Sequence, residues 1–94
     1  MTTTICTNAS TNGFYPSEEG VAPDSLTPKV VASGDFWNAR FTLEANIDDG
    51  DFVAVPGGDL NTGRVFGLNL GEGMKIRFVA TNCDANTSVT IKVN

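Results

Sequence analysis

The sequence predicts an all-β protein: a single antiparallel β-sandwich or small barrel of six to seven strands with an extended N-terminal arm. Three observations lead there. Apolar side chains recur at every second position over three runs, the period of a strand with one buried face. Clusters of Gly, Asp, Asn and Pro punctuate the chain at the short spacing typical of sandwiches and barrels. No window long enough for a helix places its apolar groups at helical spacing.

Residues 1–28 differ in composition from residues 29–94 and form a separate segment, an arm ahead of the β-sandwich core. They are rich in Thr, Ser, Asn and Pro, and their few large apolar groups are Ile5, Phe14, Tyr15, Val21 and Leu26. Such a segment cannot bury enough surface to fold alone. "TTTIC" is suited to an edge strand, whereas "NGFYPSEEGVAPDSLTP" reads as loop, each proline biasing the residue before it toward extended backbone. The segment either lies on the domain, reaches to a neighbour through Phe14 and Tyr15, or is a disordered tail.

From residue 29 onward the period is two. "KVVAS" is a first short strand. Trp37, Ala39, Phe41, Leu43, Ala45 and Ile47 then alternate with polar residues, which predicts one long strand with all six facing the core. "FVAV" and "RVFGLNL" follow as shorter strands. "MKIRFVAT" places Met74, Ile76, Phe78 and Ala80 inward, and "SVTIKVN" does so with Val89, Ile91 and Val93. Ser33-Gly34-Asp35, Asp48 to Asp51, Pro56 to Asp59, Gly71-Glu72-Gly73 and Asn82 to Asn86 read as turns. The last two of these predict hairpins, and Asp49-Gly50 is a favoured hairpin dipeptide between the strands on either side of it.

Composition excludes more functions than it suggests. Six basic and eleven acidic residues give a net charge of −5, with no histidine. Nucleic acid is not an expected partner, because phosphate binding needs clustered cations. No run approaches a membrane span, and the N-terminus carries no signal-peptide pattern. Without histidine, no Ser, Thr or Cys has its usual base, so the chain is not expected to be an enzyme and no catalytic residue is assigned. Glycoside hydrolysis needs two carboxyl groups across a cleft, and the carboxylates here fall in turns.

Cys6 and Cys83 allow one disulfide; the alternative is a pair of reduced, half-buried thiols. Asp48, Asp49 and Asp51 are candidate calcium ligands, since hard cations take oxygens from acidic loops. The EF-hand spacing fails, and the turn reading of these residues is the simpler one. No other cofactor is expected. "VPGGDLNTGRVFG" lacks the features of a phosphate loop and reads as a flexible loop with an exposed tip at Leu60 and Asn61. Trp37 is either a core residue or a platform for a sugar. The sequons at Asn8 and Asn86 have no secretion signal beside them.

In composition and layout, with short Thr-, Asn-, Gly- and Val-rich strands after an N-terminal arm and with no histidine, the chain is similar to small β-rich phage virion proteins that decorate or cement capsids. No motif carries the resemblance. It implies a noncatalytic protein of the virion or host cytoplasm that binds a capsid lattice or itself, as a homo-oligomer, through Phe14, Tyr15, Leu60 and Asn61. The alternative is an extracellular carbohydrate-binding or adhesion sandwich, stabilised by calcium.

Overall fold

A computed structural model describes residues 2–47 and 50–94. Eight strands run in order: β1 (Thr3–Ala9), β2 (Gly13–Tyr15), β3 (Lys29–Asp35), β4 (Arg40–Ile47), β5 (Val53–Leu60), β6 (Arg64–Gly67), β7 (Met74–Thr81) and β8 (Ser88–Val93). They form two four-stranded antiparallel sheets, β1-β8-β3-β6 and β2-β7-β4-β5. Among the described residues there is no helix, and so none long and apolar enough to cross a membrane.

All the connections cross from one sheet to the other, except that between β4 and β5. This order is that of a jelly roll, two interleaved Greek keys closed into a sandwich. The radius of gyration is 12.2 Å, close to the value of about 12 Å expected for a compact chain of this length.

The alternating runs become the walls of the core. β4 contributes Phe41, Leu43 and Ala45, β7 contributes Ile76, Phe78 and Ala80, and β8 contributes Val89, Ile91 and Val93, all buried. Val30 and Ala32 of β3 and Ile5 of β1 complete the facing wall. At both ends of the long run the alternation gives a wrong expectation. Phe36, not Trp37, turns inward and meets Phe41 edge-on at 5.8 Å between ring centroids. Residues 36–39 form the crossing turn, closed by the Ala39 amide donating to the Phe36 carbonyl, and Trp37 adopts a φ of 53°. The strand therefore begins only at Arg40, and Trp37 is left 66% exposed. Ile47 keeps the inward parity but lies where the opposing sheet does not cover it, and it is 64% exposed.

The N-terminal arm also needs correction. β1 pairs with β8 and β2 pairs with β7, so residues 3–15 supply one edge strand to each sheet. Ile5, Cys6 and Ala9 are core residues, and Pro28 is fully buried. β2 is the eighth strand, lying within what reads as loop. A segment too polar to fold alone can still add a strand to an existing sheet, because the ladder bonds are made by the backbone.

Two expected hairpins are likewise absent. β6 and β7 lie in different sheets, as do β7 and β8, so the turns at Gly71 to Gly73 and Asn82 to Asn86 carry the chain across the sandwich. The hairpin between β4 and β5 does form, with Glu44 opposite Ala54 and Ala45 opposite Val53. Its residues Asp48 and Asp49 lie outside the described residues.

Two expected turns lie inside strands. β3 runs through Ser33-Gly34-Asp35, where Gly34 has a φ of 111° and a Cβ would run into the Ser88 carbonyl. β5 runs through Pro56-Gly57-Gly58-Asp59, with a bulge that breaks its register with β4. Pro is tolerated there because β5 is an edge strand. Gly58 is buried in the bulge, where a Cβ would stand 2.8 Å from that of Leu43.

Candidate partner-binding surface

The residues expected to meet a partner do not form one patch. Phe14 is half-exposed at the β2 edge, its ring against the Arg77 guanidinium at 4.2 Å. Tyr15 is half-buried, tilted against Phe41 at 6.0 Å, and its hydroxyl donates to the Thr11 carbonyl at 2.6 Å. Leu60 is 1% exposed at the end of β5 and belongs to the core, because it sits opposite Phe41 on the inward face. Asn61, next to it, is exposed. Gly13, Ala80, Phe41 and Leu60 follow one another across the second sheet. Phe14 and Asn61 therefore stand at opposite edges of it, separated by about three strand spacings, or about 14 Å.

Arg77 fastens the N-terminal segment. Its Nε donates to Glu44 Oε1 at 2.8 Å and its Nη1 to the Glu18 carbonyl at 2.7 Å. The guanidinium lies between the rings of Phe14 and Phe52, at 4.2 and 4.1 Å. Val21 and Ile76 exchange backbone bonds beside it. This cluster is internally satisfied and serves to hold the chain in place.

Nothing described assembles a metal centre: among the described residues no group of three or more His, Cys, Asp or Glu is placed to hold an ion. Asp51 is exposed, while Asp48 and Asp49 lie outside the described residues. Beside it Asn46, a buried side chain, donates to the Gly50 carbonyl at 3.1 Å and accepts from the Lys75 amide at 3.2 Å. Asp59 pairs with Arg40 at 3.6 Å, both well exposed.

Cys6 and Cys83 are free thiols. Cys6 donates to the Val89 carbonyl at 3.5 Å. Burial pushes its pKa up to about 11, the Ile91 backbone offsetting part of this and Cys83 adding to it. Cys83 is raised by burial and then by Asp84. Neither is an activated nucleophile, since the thiolate is the reactive form.

Two neighbouring clefts open on the side where β5 and β6 form the free edges of the two sheets. The larger, about 400 Å³, is lined by Val55, Phe66, Leu68, Leu70 and Met74, and Arg64 is the charged residue among its described lining. The Arg64 guanidinium sits 4.8 Å from the Phe66 ring centroid and donates to the Gly57 carbonyl at 3.2 Å. The second cleft, about 360 Å³, shares Ala45 and Met74 with the first and is bordered by Ile47 and Val53. Val53 lies on the inward face opposite Ala45 yet is 67% exposed. The inner face of the second sheet thus overhangs the first.

Sequence patterning missed this surface. It assigned Ile47 to the core, and the overhang depends on where the opposing sheet ends. No protein-family model matches the chain, and no curated protein or solved structure matches it.

Proposed function

We propose that this chain is a noncatalytic association protein, a virion decoration or cement protein that binds a capsid lattice, acting as a homo-oligomer. The supporting observation is the overhang, where Ile47 and Val53, 64% and 67% exposed, extend the apolar inner face beyond its cover. Contiguous exposed apolar side chains on a small domain mark sites of protein association. The jelly roll recurs in capsid proteins and in lectins, which makes the architecture compatible with this role by analogy.

The experiment is detection of the chain in density-banded virus particles from cells that carry its coding sequence. The chain is expected to band with the particles, and Ile47→Asp with Val53→Asp to leave it at the top of the gradient. Wild-type chain remaining in the unbanded fraction would overturn the reading.

Trp37 favours a second reading, a carbohydrate-binding module. It is the sole tryptophan, it is 66% exposed on a turn, and an exposed indole can stack on a sugar face. Its fluorescence, titrated with a glycan panel, discriminates: saturable change abolished by Trp37→Ala supports the lectin-like role, and a flat response removes it.

A further inference from the structure

The side chains that line the larger cleft are graded from charge to hydrocarbon. Arg64 and Phe66 lie opposite Ala32 and Val30, both buried, so they project from the inner face of the first sheet. The Leu68 and Leu70 amides donate to the Pro28 and Leu26 carbonyls at 2.9 and 2.7 Å in the same register, which continues that row past the end of β6. Residues 64, 66, 68 and 70 therefore share one wall over about 20 Å. The second sheet supplies the other wall. Gly57 stands at the charged end, its carbonyl accepting from Arg64 Nη1 at 3.2 Å. Met74 stands at the apolar end, its Sδ accepting at 2.9 Å from the amide of Gly71, the residue after Leu70.

Two properties of this cleft define an occupant. The first is that Arg64 has no carboxylate partner among the described residues. Arg40 pairs with Asp59 and Arg77 with Glu44, whereas Arg64 meets the Phe66 ring and a neutral carbonyl. A guanidinium carries five donors in a planar fork, so one bond to a carbonyl leaves most of it to engage an anion. The second is that the wall beyond the guanidinium offers no polar side chain. Asn69, the other polar residue of the lining, has the outward parity and is exposed. A polypeptide lying along that wall would set its N–H and C=O groups against hydrocarbon, while an aliphatic tail needs no partner there. One guanidinium also matches one negative charge. A phosphate dianion would leave its second charge against apolar walls in a chain of net charge −5.

We propose that the larger cleft binds an aliphatic monocarboxylate of medium chain length, with its carboxylate on Arg64 and its tail running along Phe66 and Leu68 toward Leu70 and Met74. The volume of about 400 Å³ falls near the lower end of the roughly 300 to 1,000 Å³ of small-ligand pockets, which suits a single unbranched tail. The inference is independent of the association reading, which uses Ile47 and Val53 at the neighbouring cleft.

The full chain, isotopically labelled for amide NMR, is titrated with hexanoate, octanoate and decanoate below their micelle-forming concentrations, and with octanol. Shifts are expected to saturate and to concentrate at residues 55–58, 64–70 and 74. Affinity is expected to rise with tail length, by up to about fourfold for each fully buried methylene. Octanoate is expected to bind about tenfold more tightly than octanol, and Arg64→Gln to erase that difference while leaving octanol binding unchanged. Val55→Trp, which fills the cleft, is expected to weaken the acids and the alcohol alike. The comparison of octanoate with octanol needs no variant, so it decides the matter even where a substitution fails to fold. An acid no tighter than its alcohol, affinity indifferent to tail length, or shifts centred on Trp37 or Ile47 would overturn the inference. So would a ligand-free dimer whose interface covers Leu68 and Leu70, because the occupant is then a second copy. Absence of saturable binding by every acid overturns it as well, whether or not the chain bands with particles.

Discussion

Replacing Arg77 by Met tests whether residues 14–18 are clamped to the second sheet or merely lie near it. Methionine keeps the stem and its contact with the Phe14 and Phe52 rings but removes the charge. The loss comprises the Glu44 ion pair, whose side chains are 16% and 21% exposed, and the bond to the Glu18 carbonyl. A hydrogen bond to a charged group contributes about 1.5 to 3 kcal/mol, and each partly exposed cation–π contact about 0.5 to 1 kcal/mol. Water reaches this site and sulfur–aromatic contacts replace part of the stacking, so the expected net loss is about 2 to 3 kcal/mol. In a domain of this size that lowers Tm by about 10 to 20 °C. Urea unfolding followed by circular dichroism gives the free energy, and limited proteolysis reports whether cleavage concentrates within residues 14–21. A double-mutant cycle with Glu44→Gln isolates the ion pair. A change within about 0.5 kcal/mol, the range of ordinary surface substitutions, with no new cleavage, would refute the clamp.

Gly34→Ala is expected to destabilise by about 2 kcal/mol or more, since it combines a φ of 111° with a collision against the Ser88 carbonyl; urea midpoints check this. Trp37→Ala is expected to leave stability within about 0.5 kcal/mol, whereas Phe41→Ala is expected to cost about 3 to 5 kcal/mol. For Cys6, the folded pKa of about 11 exceeds the unfolded value of 9.0. The unfolded chain therefore loses this proton first, and the associated stability is full below pH 9.0 and declines toward pH 11. In the native protein at pH 8, Cys6 is expected to resist alkylation until urea unfolds the chain; rapid labelling of the folded form contradicts its burial.

What could be read from the sequence follows from what a period of two encodes. It identifies the faces of a strand wherever the strand is covered, as at Phe41, Leu43, Ile76, Phe78 and Ile91. It does not encode where the opposing sheet ends, so Ile47 reads as buried. Nor does it register a crossing turn that resets the parity, which is why Phe36 and Trp37 exchange roles. Turn residues mark reversals without naming the destination sheet, so two crossings read as hairpins. Glycine and proline at residues 56–58 read as a loop because a bulged edge strand uses the same chemistry, and this placed Leu60 at a tip instead of in the core. β2 has too few residues to show a period and is held by its backbone ladder to β7 and by the Arg77 cluster.

The association claim meets its most direct test in quantitative co-sedimentation of the purified chain with virus particles from cells that carry its coding sequence. The account predicts saturation at a fixed number of copies per capsid unit, with Ile47→Asp and Val53→Asp shifting the chain to the supernatant without changing its melting curve. Binding that rises without saturation, or that is unaffected by those two substitutions, would contradict it.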